Sequence, residues 1–166
     1  MNIYEFLGIL IGDGYMRYRP DQRVYQIEIT GNVVEDYNYF IKISKFIHNL
    51  TGRKPSIRVK TEYNGQSLRL NINNKKFIRQ LIDLGIPLRN KTFTIAIPDE
   101  FLGWKYSKHI IRGIFETDGC IYFSKSKKSK YPTYPRIEIK TSSGALLSQI
   151  TGLLKEKGFN LYIKIK

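Results

Sequence analysis

The stretch FLGILIGDGYM at 6–16 returns as IRGIFETDGCI at 111–121, matching Gly8 to Gly113, Asp13 to Asp118 and Gly14 to Gly119. Such a repeat limits the chain to folds made of two similar halves. A hairpin pattern follows each copy, YMRYRPDQRVYQIEIT and then IYFSKSKKSKYPTYPRIEIK, and the two share IEI at 27–29 and 137–139. Helical spacing comes next over 33–50 (Phe40, Ile43, Ile47) and 143–157 (Leu147, Ile150, Leu154), each ending at a glycine, Gly52 or Gly158. The strands PSIRVKTEY and NLYIKIK follow. In the first copy QSLRLNINN completes a second hairpin about Asn64-Gly65, and a helix runs over 75–84. The pattern predicts an α+β fold of two pseudo-symmetric α-β-β-α-β-β-α halves built on antiparallel sheets. The first half spans 1–84 and a linker with Pro87 and Pro98 spans 85–103. The second half spans 104–166 and stops a strand and a helix short of the first copy's pattern.

With 42% apolar residues the 166-residue chain can build a core, but 28 Lys and Arg against 14 Asp and Glu leave it at +14. A polyanion, most often nucleic acid, is the expected partner. One cysteine, Cys120, excludes an internal disulfide and a thiolate zinc site, and the isolated His48 and His109 exclude a histidine-rich metal cluster. No apolar run approaches the ~20 residues that span a bilayer, and no signal peptide opens the chain. A soluble, intracellular protein, free of membrane, is expected.

Strand parity separates a core face from an exposed one. Ile57, Val59, Thr61, Leu68, Leu70, Ile72, Ile137, Ile139, Leu161, Ile163 and Ile165 fall on the inner face. Outward fall Gln26, Glu28, Thr30, Ser56, Arg58, Lys60, Glu62, Ser67, Arg69, Asn71, Arg136, Glu138, Lys140, Tyr162, Lys164 and Lys166. This mixture suits base reading, since Arg or Lys matches guanine, Gln or Asn matches adenine, and a carboxylate matches cytosine. Arg17, Arg19 and Arg23 of the first hairpin extend the candidate DNA surface. Lys125, Lys127 and Lys128 in the loop SKSKKSKY suit phosphates.

Gly8 and Gly12 share one side of the first helix, as Gly113 and Thr117 do in the second copy. Each interior glycine costs a helix about 1 kcal/mol, so a compensating contact is expected. Small residues let two helix backbones approach, and one motif per half predicts two parallel helices on a pseudo-twofold axis. Their ends would bring together Asp13 and Asp118, two carboxylates opposed by each other and by the helix dipoles. Divalent cations relieve both penalties, and Mg²⁺ prefers carboxylate, phosphate and water oxygens. Trp104, Phe115, Cys120 and both histidines read as core or interface residues.

FLGILIGDG and IRGIFETDG resemble the nine-residue motif of the LAGLIDADG homing endonucleases, and the repeat, hairpins and linker resemble that family's single-chain, two-motif form. The resemblance implies a saddle of antiparallel sheets over a long, weakly palindromic double-stranded DNA site, with the motif helices packed at the interface of a monomer. It implies that Asp13 and Asp118 bind Mg²⁺, with Mn²⁺ able to substitute, and that the backbone carbonyls of Gly12 and Thr117 are further candidate ligands. It implies cutting of both strands across the minor groove, short 3′ overhangs, and mobility of an intron or intein. Family members often place Gln or Lys after the second strand to handle water, where this chain has Gly31-Asn32 and Thr141-Ser142. Asn32, Lys140 and Lys91 are the candidates for that role, and Glu116 replaces the first copy's Ile11. The rival readings are a splicing maturase with intron RNA as partner, a non-catalytic DNA-binding regulator on the same fold, and an unrelated basic RNA-binding protein.

Overall fold

The structure is a computed structural model describing residues 1–63, 65–87, 91–125 and 130–164, with the backbone alone of Lys91. Asn64, Lys127, Lys128, Ile165, Lys166 and the Lys91 side chain lie outside the described residues. The first half runs α1 (Ile3–Gly12), β1 (Gly14–Arg19), β2 (Val24–Gly31), α2 (Tyr37–Thr51), β3 (Ser56–Glu62), β4 (Gly65–Ile72) and α3 (Lys75–Asp83). Next come a short helix α4 (Lys91–Thr94) and a 3₁₀ turn at Asp99–Phe101. The second half runs α5 (Trp104–Asp118), β5 (Gly119–Ser124), β6 (Tyr134–Ile139) and α6 (Gly144–Glu156). The fold is α+β with two antiparallel sheets, one of four strands in the order β1-β2-β4-β3 and one of two, β5-β6. No helix among the described residues is long and apolar enough to cross a membrane.

Every residue of α1 from Glu5 to Ile11 is buried. That is why its apolar residues run all round instead of along a stripe. One side of it meets α5 in the most extensive helix contact of the molecule. Gly8 and Gly113 are the crossing point: a Cβ on either would lie 2.9 Å from the other's Cα and against backbone oxygen, Ile110 O or Glu5 O. Four residues on, a Cβ at Gly12 would overlap Thr117 Oγ1. Gly8 thus faces Gly113, and Gly12 faces Thr117, so the two helices run in the same direction and in register.

The amide of Glu5 donates to the N-capping Asn2 Oδ1 at 2.9 Å, and its carboxylate is buried between helices. Lys42 of α2 and Arg112 of α5 each approach Glu5 Oε1 at 4.0 Å, and Arg112 also approaches Glu116 at 3.7 Å. Beside them burial, with Glu116 and Glu5 adding their charge, raises the Tyr39 hydroxyl far above its ordinary pKa. The linker docks on α6 through side chains that imitate backbone. Gln149 accepts from Ile97 N at 2.8 Å and donates to Ile97 O at 2.9 Å, while Ser143 Oγ donates to Ile95 O at 2.6 Å.

The halves differ in what covers their sheets. Phe40, Ile43 and Ile47 of α2 and Phe77, Ile78 and Leu81 of α3 are buried in one core with the inner face of the first sheet, where Met16 is 5% and Ile27 0% exposed. Their counterparts Ile121 and Ile137, paired across β5 and β6, are 63% and 71% exposed. The expected burial of Ile137 is therefore wrong. Alternation marks a face but does not supply a layer to cover it, and no third strand joins this sheet among the described residues. For the same reason residues 160–164 of the strand expected over 160–166 form none: in the first half β3 is paired with β4, and no such neighbour follows α6 among the described residues. Among the described residues the second half is thus α-β-β-α. Val59, expected inward, is 50% exposed because β3 is the sheet's edge.

Cys120 is exposed on β5 rather than in a core or interface, because its position in the strand points it to the same side as Glu138. His48 is exposed in the last turn of α2, where a helix dipole favours a cation. Trp104 and Phe115 are half-buried.

Replacing Gly8 with Ala should destabilise the chain by about 1–3 kcal/mol, because the new methyl meets backbone that cannot step aside. Gly152→Ala in α6, where a Cβ meets nothing within 4 Å, should instead stabilise it by up to about 1 kcal/mol. Denaturant midpoints of the two variants against the parent check both signs.

Candidate active site and nucleic-acid interface

Each of the two parallel helices runs out at an aspartate directly ahead of a strand. Asp13 caps α1 through its backbone N–H to Ile9 O at 3.0 Å, and β1 begins at the next residue. Asp118 is the last residue of α5, and β5 begins at Gly119. Both side chains are exposed. The register of α1 and α5 brings these ends together, since a Cβ on Gly12 would lie 3.0 Å from Asp118 Oδ2 as well as against Thr117. The negative ends of two helix dipoles and two carboxylates thus converge at one place on the surface. Thr117 Oγ1 donates back to Ile114 O at 2.9 Å, which turns its side chain into the helix pair.

The strands carry these aspartates to the inner edge of a polar face. Gly14 pairs with Ile29 and Thr30 with Arg69, so Asp13 continues the row Thr30, Arg69, Arg58. In the second half Lys140 N donates to Asp118 O at 3.3 Å, which puts Lys140 beside that aspartate. Lys140 Nζ lies 3.3 Å from Glu138 Oε1 and its side chain is largely exposed. Asn32 is engaged otherwise: its Oδ1 accepts from Val34 N at 2.8 Å and Glu35 N at 3.1 Å, holding the turn before α2. Among the described residues no three His, Cys, Asp or Glu side chains gather where they could hold a metal ion. A cation at the aspartates would take its remaining ligands from backbone, water or a bound phosphate. The donor chemistry fits Mg²⁺, a hard ion that accepts a few carboxylates and completes its shell with such oxygens.

The polar face of the four-stranded sheet is more tied down than its composition suggests. Arg69, on the central strand β4, donates from one terminal nitrogen to Glu28, from the other to Glu62, and from Nε to Ser67 Oγ at 3.3 Å. Its side chain is only 20% exposed. Lys60 also reaches Glu62 at 3.3 Å. The Arg69 guanidinium, with Lys60 behind it, holds the Glu62 carboxyl below the usual carboxylate range. Because that pKa is lowered on folding, the contribution of this pair is present at neutral pH and fades in acid as Glu62 protonates. Gln26 Nε2 donates to Asn71 Oδ1 at 2.6 Å across β2 and β4. Arg17 lies over the Tyr15 ring at 5.1 Å, and Arg19 donates to Gln22 at 3.3 Å. Arg23 sits in the hairpin turn at φ 53°. Ser56 is half-buried, and Arg58, Lys125, Tyr162 and Lys164 are exposed. In the second half Arg136 Nε donates to Ser124 Oγ at 2.9 Å.

Glu5 and Arg112, at the far end of the helix pair from the aspartates, are an ion pair that the repeat does not mark. A lone acidic letter in the first turn of an apolar helix was the available signal, and it also suits an ordinary N-terminal charge.

Residues 106–166 match the model of a LAGLIDADG-like domain. No curated protein matches the sequence. Among solved structures, the chain is similar to the homing endonuclease I-WcaI bound to its DNA recognition sequence, with 16% identity and a TM-score of 0.64, over 98% of this chain and 70% of that one. It is also similar to I-DmoI in complex with DNA and Ca, with 19% identity and a TM-score of 0.57, over 93% of this chain and 71% of that one. A variant of I-DmoI with its target DNA in the presence of Mg is 18% identical with a TM-score of 0.54, over 93% of this chain and 76% of that one. The resemblance carried by the two motifs is thus met in three dimensions: the chain has the fold of the LAGLIDADG homing endonucleases, and its second half is recognised in sequence as a LAGLIDADG-like domain.

Proposed function

We propose that this chain is a site-specific, Mg²⁺-dependent DNA endonuclease that makes a double-strand break with short 3′ overhangs and so promotes the mobility of an intron or intein. The observation that carries the reading is the convergence of Asp13 and Asp118 at the ends of two parallel helices, on the inner edge of a polar and largely basic face. That solved proteins of the same fold were captured with DNA and with Ca or Mg supports the substrate and the metal.

Asp13 and Asp118 would hold the divalent cations, with the Gly12 and Thr117 carbonyls as candidate further ligands. Bound Mg²⁺ supplies Lewis-acid stabilisation of the charge that builds on a phosphodiester under attack. The chain's own part is placement. The Gly8–Gly113 contact fixes the two carboxylates relative to each other, and each strand that leaves an aspartate carries side chains along the duplex. A two-stranded ribbon fits the major groove, which lets the sheets grip the flanks while the helix ends face the backbone between them. Lys140, placed beside Asp118 by a backbone hydrogen bond, can orient water or steady a phosphate in the second half. The matching first-half position is Thr30, and Asn32 is occupied by its turn, so of these paired positions the second half has a charged side chain and the first does not.

Asp13→Asn and Asp118→Asn should each lower double-strand cutting by at least about 100-fold, the loss of several kcal/mol of transition-state stabilisation, while leaving duplex binding nearly intact. Cleavage of a plasmid bearing the target, followed beside a binding assay, checks this. Undiminished cutting by both single variants would remove the proposal. Stripping divalent ions with a chelator should stop cutting by the parent protein, and added Mg²⁺ or Mn²⁺ should restore it.

A further inference from the structure

The polar face of the first sheet contains two kinds of side chain that sequence alone treats alike: those already bonded to protein and those left open to a ligand. Arg69 belongs to the first kind. All three of its guanidinium nitrogens donate within the sheet, to Glu28, Glu62 and Ser67. Two of its five N–H groups remain, but the Glu28 and Glu62 carboxylates beside it offset its charge and would repel a phosphate. The neighbouring amides belong to the second kind. Gln26 and Asn71 spend one N–H and one carbonyl on each other. That leaves a carbonyl oxygen on Gln26 and an amino group on Asn71, and exchanging the two amide orientations still leaves one acceptor beside one donor. In the major groove adenine offers the complement, N7 as acceptor and N6 as donor.

Glu28 stands directly across from Asn71 and next to Tyr15 in the ladder. A carboxylate there repels phosphate and accepts from the amino group of cytosine. Gln26 and Glu28 are two residues apart on one strand, a rise of about 6.8 Å, which equals about two base-pair steps.

We propose that Gln26, Asn71 and Glu28 form the base-reading block of the first half, favouring adenine at one base pair and cytosine about two steps away. In the same proposal Arg69 is a positioning residue that holds Glu28 in place and touches no phosphate. The proposal rests on the DNA-binding function proposed above and names which residues set its specificity. The second half is built differently, with Glu138 beside an exposed Lys140 and with Arg136 where the first half has Gln26. The adenine preference therefore belongs to one half-site alone.

The test uses the full chain with Ca²⁺ in place of Mg²⁺, so that binding is read without cutting. Bound duplexes are selected from a pool with randomised base pairs, and affinity for the selected duplex is followed against salt. The parent protein should select adenine and cytosine at the stated spacing in one half-site. Arg69→Ala should lose about 10-fold of the preference for cytosine with an unchanged slope of log affinity against log salt. Arg58→Ala should keep the preference and lower the slope by about 0.9. Glu28→Gln, isosteric and without a new backbone demand, should lose the cytosine preference even if Arg69→Ala folds poorly. A slope reduced by about 0.9 in Arg69→Ala, or a cytosine preference intact in Glu28→Gln, would overturn the assignment. Selection by the parent that ignores both positions would overturn it while leaving DNA binding standing. A parent that retains no duplex at all would end both readings.

Discussion

Everything that makes a site of this chain depends on two helix backbones touching at Gly8 and Gly113. A side chain at either place would enter backbone, so the approach is available only to glycine, and the cost of two weak helix positions is offset by a contact that no longer side chain permits. The contact sets direction and register together. Once α1 and α5 are parallel and in phase, their last residues must come out side by side, and each strand starts where its helix stops. The buried Glu5, reached from α2 and α5 by Lys42 and Arg112, adds an electrostatic tie at the entrance to the same helix pair. It spans three helices, so it resists sliding as well as separation.

Under the proposed function, a basic protein that has to find one DNA sequence must avoid holding every sequence equally well. Net charge of +14 favours indiscriminate phosphate contact. On the first sheet some of that charge is already spent internally, since Glu28 and Glu62 occupy Arg69, and Glu62 also engages Lys60. What remains toward a ligand is a patterned surface of amides and carboxylate between cations. Such a surface discriminates by penalty as well as by attraction, because a mismatched base leaves a polar group desolvated and unpaired.

The repeat made the helix pair legible, because Gly8, Asp13, Gly113 and Asp118 recur at constant spacing and the small residues explain themselves only as a contact. The antiparallel strand pairs were legible from alternation, as was the inner face of β4, where Leu68, Leu70 and Ile72 are buried. Partnerships were not. Strand parity places Arg69 and Glu28 on one face, but which carboxylate an arginine meets depends on ladder register and diagonal reach, and Glu62 arrives from seven residues away through a hairpin. The exposure of Ile121 and Ile137 was hidden for a related reason. Their alternation copies that of Met16 and Ile27, yet burial is a property of the layer above a strand and not of the strand. Asn32 was legible as polar and near the motif, but its turn-holding bonds involve only local backbone that any residue run offers.

The meeting of Gly12 with Thr117 has a corollary. At that level the two motif helices are no longer alike: one provides a gap and the other the hydroxyl-bearing side chain that fills it. Two copies of the first half would leave a void there, and two copies of the second would set threonine against threonine. However the repeat arose, its halves are no longer interchangeable at this contact, because each supplies there what the other lacks.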